Sequence, residues 1–171
     1  MENRIPKSGY IGRFSIRNVP IFIHWTFPVG GVFFAFFLGN PTLIRALPLV
    51  AAYIILIIFH ELGHAIAAKM YSSKVHCILV TGAGGWCIAE KPKSFSACLL
   101  FYAGGVIAQL LLLLATTLYI VTFGSPESKV LGPFVFVFTL VNAVLIIINL
   151  IPAGKSDGMR LVAAFRERIN P

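Results

Sequence analysis

The fold class this sequence predicts is an all-α polytopic membrane protein. It should have about four transmembrane helices and a short membrane-associated β-hairpin between the second and third. Three observations lead there. Of 171 residues, 58% are hydrophobic and only 12% are charged, whereas a soluble domain is roughly a quarter charged. Residues 18–44, 94–126 and 130–154 contain no Asp, Glu, Lys or Arg, and each is long enough for a spanning helix of roughly 20 residues. The 14 Lys and Arg residues gather in alternate connections between the apolar stretches. Disorder is excluded, because it needs low hydrophobicity. A soluble globule is excluded too, because a chain this short has too little interior for so much apolar surface. The net charge of +8 does not point to nucleic acid, since the basic residues form no single patch.

Taken in order, residues 1–18 read as a polar tail with no signal peptide, because they hold no apolar core segment or cleavage site. The first span is expected over 20–39 and the second over 47–68, with Pro48 in a favourable position near the helix start. The middle connection is more than a loop. Val75 to Val80 and Trp86 to Ala89 read as short strands around the turn signal Thr81-Gly82-Ala83-Gly84-Gly85. A turn centred on Gly82 would set Cys77 opposite Cys87. Reduced thiols are expected at Cys77, Cys87 and Cys98, whose odd number and spacing suggest no disulfide framework. The third and fourth spans are expected over 97–123 and 131–151. The tail from Met159 to Ile169 reads as a short basic amphipathic stretch at the membrane interface. The whole chain, 1–171, reads as one membrane-embedded domain.

Orientation follows from the basic residues. The N-terminal tail, the middle connection and the C-terminal tail carry 12 Lys and Arg, and the other two connections carry only Arg45 and Lys129. Both termini and the hairpin are therefore expected on the cytoplasmic side.

The second span contains His60-Glu61-Leu62-Gly63-His64, an H-E-x-x-H pattern. Residues four apart share one helix face, so two imidazoles can approach one tetrahedral zinc. Glu61, one position round, can reach water at the metal and act as general base. A carboxylate in a spanning helix costs at least roughly 2.5–3.5 kcal/mol and is a functional candidate by default. A catalytic zinc site wants a third protein ligand. His24, His76 and Asp157 are the candidates. Asp157 stands just past the fourth span, where Pro152 interrupts the helix. Topology brings it to the depth of His60 and His64. Two rival readings remain at this point. One is a silent binding module that holds a membrane partner. The other is a transporter, disfavoured because the first, third and fourth spans lack charged residues.

These motifs together resemble the site-2 protease family of intramembrane zinc metalloproteases. Ile23-His24-Trp25-Thr26 is similar to the family's entry into its first span, and Phe59 to Ala67 to its zinc helix. Gly84-Gly85 and Ala103-Gly104-Gly105 stand where the family has a glycine-bearing hairpin and then the opening of the next core helix. Asn149, Pro152, Asp157 and Gly158 match an Asn-x-x-Pro-x-x-x-x-Asp-Gly pattern. The resemblance implies Zn2+ held by His60, His64 and Asp157, Glu61 as catalytic base, and Asn149, Gly84 and Gly85 in substrate binding. It implies regulated intramembrane proteolysis of a membrane-spanning protein substrate in the lipid bilayer, with regulation by a separate membrane protein. The expected location is the plasma membrane of a prokaryote. The alternative is an inactive family member acting as a membrane-protein binding module. The sequence also departs from the family. Gly105 replaces a proline, which bears only on local helix geometry, the linker Ala153-Gly154-Lys155-Ser156 is neither apolar nor proline-rich, and no PDZ or CBS domain is seen. Pairing of Lys155 with Asp157 would weaken metal binding.

Overall fold

The computed structural model of the chain describes residues 9–27, 43–82 and 84–169. It is mostly helical, with one small sheet. Strand β1 (Tyr10–Ile16) and strand β2 (Val19–His24) precede helix α1 (Leu43–Met70). Strands β3 (Val75–Thr81) and β4 (Gly84–Ala89) follow, then helix α2 (Phe95–Phe123). Helix α3 (Leu131–Leu150) and helix α4 (Asp157–Ile169) complete the chain. Within α3, Val137–Val141 widens into a π-helical turn.

Among the described residues, α1, α2 and α3 are long and apolar enough to cross a membrane. They correspond to the second, third and fourth expected spans. At 1.5 Å per residue, the 28 residues of α1 reach about 42 Å, more than the roughly 30 Å hydrocarbon core. The described helix begins at Leu43, so Pro48 lies inside it rather than at its first turn. Helix α2 starts where Ser94 caps it, its hydroxyl accepting from the Ala97 N–H at 3.2 Å. It ends at Gly124, where φ is 81°.

The first expected span needs correcting. Residues 20–24 lie in strand β2, and 28–39 fall outside the described residues. The supposed polar tail is not a plain tail either, because β1 occupies Tyr10–Ile16. Arg17 and Asn18 have φ of 47° and 65°. This is the left-handed pair that closes a two-residue hairpin compatible with strand twist. Val19 and Ile21 alternate inward and are buried, which is the period of a strand.

The expected β3–β4 hairpin is present, but it belongs to a four-stranded sheet ordered β1-β2-β3-β4. The β2–β3 pairing is parallel and the other two are antiparallel. Fold class is therefore helical with a mixed sheet, not all-α with one hairpin. Thr81 pairs with Gly84, so the turn is not centred on Gly82. Cys77 faces Ile88, and Cys87 faces Ile78. A slip of one residue turns a side chain to the opposite sheet face, which separates the two thiols. All three cysteines are free.

The sheet lays its apolar face on α1. Val19, Ile21, Ile78 and Val80 form one cluster with Phe27, Ile57 and Ala65. On its other side α1 crosses α2 at two glycines. A Cβ on Gly63 would overlap the Gly104 carbonyl oxygen, and one on Gly104 would lie 2.6 Å from the Gly63 oxygen. Such close backbone approach is how membrane helices gain packing contact. The C-terminal stretch forms α4 and folds back onto α2. Phe165 meets Phe95 at 5.2 Å, and the Arg168 guanidinium stands 4.5 Å over the Phe95 ring. A Cβ on Gly158 would overlap the Leu150 oxygen, so the chain between α3 and α4 must turn tightly there.

Candidate metal centre

One turn of α1 and the first residue of α4 meet. His60 Nε2 and His64 Nε2 are 3.1 Å apart, and each is 3.2 Å from Asp157 Oδ2. Among the described residues, these three form the group able to hold a metal ion. His24 and His76 do not join it. His24 sits at the end of β2, with Nδ1 2.9 Å from the Thr26 hydroxyl, and His76 lies on β3.

The chemistry of the donor set fits a cation. His64 Nδ1 lies 2.6 Å from the Phe101 carbonyl oxygen, and His60 Nδ1 lies 2.9 Å from Gln109 Oε1. Both partners are acceptors, so each Nδ1 carries the proton and each neutral imidazole presents a bare Nε2. Two lone pairs and a carboxylate oxygen thus converge with no proton among them, and Asp157 Oδ2 is buried without a hydrogen bond. Such a cluster calls for a cation or a shared proton. A tetrahedral site with ligands at about 2.0–2.1 Å places them about 3.3 Å apart, close to the separations found.

Glycines shape the space round these ligands. A Cβ on Gly105 would lie 2.5 Å from His64 Nε2 and 2.6 Å from His60 Nε2. The glycine expected to affect only local helix geometry therefore makes room for the imidazole pair itself. On β4, a Cβ on Gly85 would lie 2.5 Å from Glu61 Cγ. Glu61 is 4% exposed and accepts a hydrogen bond from the Cys87 main-chain N–H. The hairpin thus grips the carboxylate next to the ligands. Gly84 has φ of 129° and open space about it, and Thr81 donates to its carbonyl oxygen at 3.1 Å.

A cavity of about 470 Å³ opens over the centre. His60, Glu61, His64 and Asp157 line it, with Gly84 and Gly85 from the hairpin, Asn149 from α3 and Lys155 and Arg160 beyond. Asn149 donates through Nδ2 to Gln109 Oε1 at 3.2 Å. A Lys155–Asp157 pairing, which would have weakened metal binding, is not found among the described residues. Lys155 is exposed, and the ion pairs of Asp157 among the described residues are with the two histidines. Sequence reasoning missed Gln109, Asn142 and Phe101. Gln109 had a usable signal, as the lone amide side chain within the apolar stretch 94–126. Phe101 acts through its main chain and gave none.

No family model matches the chain. A curated relative, a zinc metalloprotease of Methanocaldococcus jannaschii, is 27% identical over 157 residues. The match takes in 88% of this chain and 44% of the relative, so the chain spans under half of that relative's length. Among solved structures, a site-2 protease from Methanocaldococcus jannaschii superposes with a TM-score of 0.73 at 25% identity. The superposition covers 92% of this chain and 72% of that one.

Proposed function

From the likeness to the site-2 protease family, which holds in both sequence and fold, we propose that this chain is an intramembrane zinc endopeptidase. It hydrolyses a peptide bond in or near a transmembrane segment of a membrane-protein substrate. The observation that carries the reading is the convergence of two bare imidazole nitrogens and a carboxylate oxygen beside Glu61, at one end of a membrane-length helix.

His60, His64 and Asp157 are the zinc ligands in this proposal. Zinc, when held there, supplies Lewis-acid polarisation of the scissile carbonyl and acidifies water. Glu61 takes a proton from the attacking water and returns it to the leaving amine. The Cys87 N–H and the close approach of Gly85 keep its carboxylate aimed into the cavity. Asn149 turns its amide toward the substrate carbonyl and steadies the developing oxyanion. Strand β4 ends the sheet order, with β3 on one side. Its other edge can add an unwound substrate segment. Gly84 and Gly85 let that backbone pass close to Glu61. A transmembrane helix must unwind for this, because its peptide bonds are hidden in internal hydrogen bonds.

The reading extends to setting. The Lys and Arg asymmetry supports cytoplasmic termini and a cytoplasmic hairpin, in the plasma membrane of a prokaryote. A separate membrane protein regulates access. The test is co-expression with candidate single-span proteins, comparing wild type with Glu61→Gln. Wild type should yield a shortened product, and Glu61→Gln should accumulate uncut substrate. Equal products from both would overturn the role of Glu61.

A further inference from the structure

Gln109 joins two parts of the site. It is 1% exposed, in the middle of a helix otherwise built from apolar and small residues. Its carboxamide oxygen accepts twice, from His60 Nδ1 at 2.9 Å and from Asn149 Nδ2 at 3.2 Å. Its main-chain oxygen accepts a third bond, from Asn142 Nδ2 at 2.9 Å. Asn142 is itself fully buried and also donates to the Phe138 oxygen at 3.2 Å, within the π-helical turn of α3. A buried amide in an apolar helix is costly unless it is satisfied. Here its two oxygens are spent on α1 and α3 at the level of the metal centre, and π-helical turns recur at functional sites.

We propose that Gln109 is a positioning residue whose one amide oxygen sets both metal affinity and the placement of Asn149. It fixes His60 as the Nδ1–H tautomer, which leaves Nε2 bare and directed at His64 and Asp157. It also holds Asn149 beside the cavity. The metal half of the proposal stands on the ligand geometry alone, and the Asn149 half rests on the protease reading. The opposite amide orientation would make the opposite prediction. With its nitrogen toward His60, Gln109 would donate to Nδ1 and leave the proton on Nε2, where a metal needs a lone pair. An apolar residue at 109 would free His60 to take either tautomer and would strand two half-buried N–H groups. Outer hydrogen bonds to a metal-bound imidazole typically change metal affinity about 10–100-fold.

The experiment uses the full chain purified in detergent micelles, with zinc ions as the probe. Zinc affinity is measured by chelator competition for wild type, Gln109→Leu and Gln109→Glu. Gln109→Leu should bind zinc about 10–100-fold more weakly. Gln109→Glu keeps an acceptor for both partners and should recover most of the affinity. Equal affinity in wild type and Gln109→Leu would overturn the proposal. Nitrogen-15 spectra of labelled histidine in the wild-type chain give a readout that needs no variant. His60 should be protonated at Nδ1 both with zinc and after zinc is stripped. An Nε2–H tautomer in the stripped chain, or coordination through Nδ1, would overturn the proposal even if Gln109→Leu failed to fold. On any substrate that wild type cuts, at saturating zinc, Gln109→Leu should lose as much kcat/KM as Asn149→Ala, and the double variant should lose no more. Full additivity would overturn the shared role. If wild type cuts nothing, the protease reading fails, while zinc affinity and tautomer still decide the metal half.

Discussion

Along α2, residues 97–109 bury Ala97, Phe101, Gly104, Gly105, Val106 and Gln109 within the molecule. Further along the same helix, Leu114, Leu118, Val121 and Phe123 stand 63–77% exposed. Both halves are apolar enough for the membrane interior. The first half carries two adjacent glycines and an amide, because it must let α1 approach and must bond to an imidazole. The second half is rich in leucine, and what its exposed surface needs against lipid is apolarity alone. In this helix, then, the adjacent glycines and the buried amide mark the half that supports chemistry, whereas Thr116 and Thr122 of the other half only bond back to their own helix.

That contrast can be broken by substitution. The largest effect is expected at Gly105. Gly105→Leu puts a side chain where the two imidazoles meet, and metal analysis of the purified variant should find zinc lost. Retention of full zinc would mean that the ligands can move aside, and the glycine would not be a requirement of the site.

Next comes the helix crossing. Gly104→Val drives side-chain atoms into the Gly63 carbonyl and should destabilise the fold by about 1–3 kcal/mol, as overpacking does. Unfolding by titrated detergent measures it. A change below about 0.5 kcal/mol would show that α1 and α2 are not held together at this point.

The smallest effect belongs to the exposed half. Leu118 is 63% exposed, and Leu118→Ala should shift stability by no more than about 0.5 kcal/mol and leave zinc unchanged. A large loss would show that this face is covered by another protein rather than by lipid. The connections on either side of α2 also report topology. Single cysteines placed at Ser73 and Ser128 should label from opposite sides of the membrane, and labelling from one side would contradict a spanning α2.

Much of the centre was legible because its signal is local. His60, Glu61 and His64 lie within one turn of helix, and the β3–β4 hairpin is punctuated by its own glycines. Asp157 lies far along the chain, but the break at Pro152 and the Asp-Gly pair mark it. What escaped is non-local or ambiguous. Val19, Ile21 and Ile23 alternate as a strand does, yet they fall in a charge-free window that also reads as a span. Their parallel partner lies across α1, so no neighbouring residue announces the pairing. The Cys77–Cys87 register failed by one residue, because repeated glycines at the turn leave its centre undetermined. Gly105 looked like a substitution of local consequence until the imidazoles were placed against it.

The central claim is that His60, His64 and Asp157 hold one zinc while Glu61 stands beside it without binding it. Metal stoichiometry of the full chain tests this most directly, in wild type, Glu61→Gln and His64→Ala purified side by side. One zinc per chain is expected in wild type and in Glu61→Gln. His64→Ala should lose most of its metal, because two remaining ligands hold zinc poorly. Full occupancy in His64→Ala, or loss of zinc in Glu61→Gln, would contradict the account.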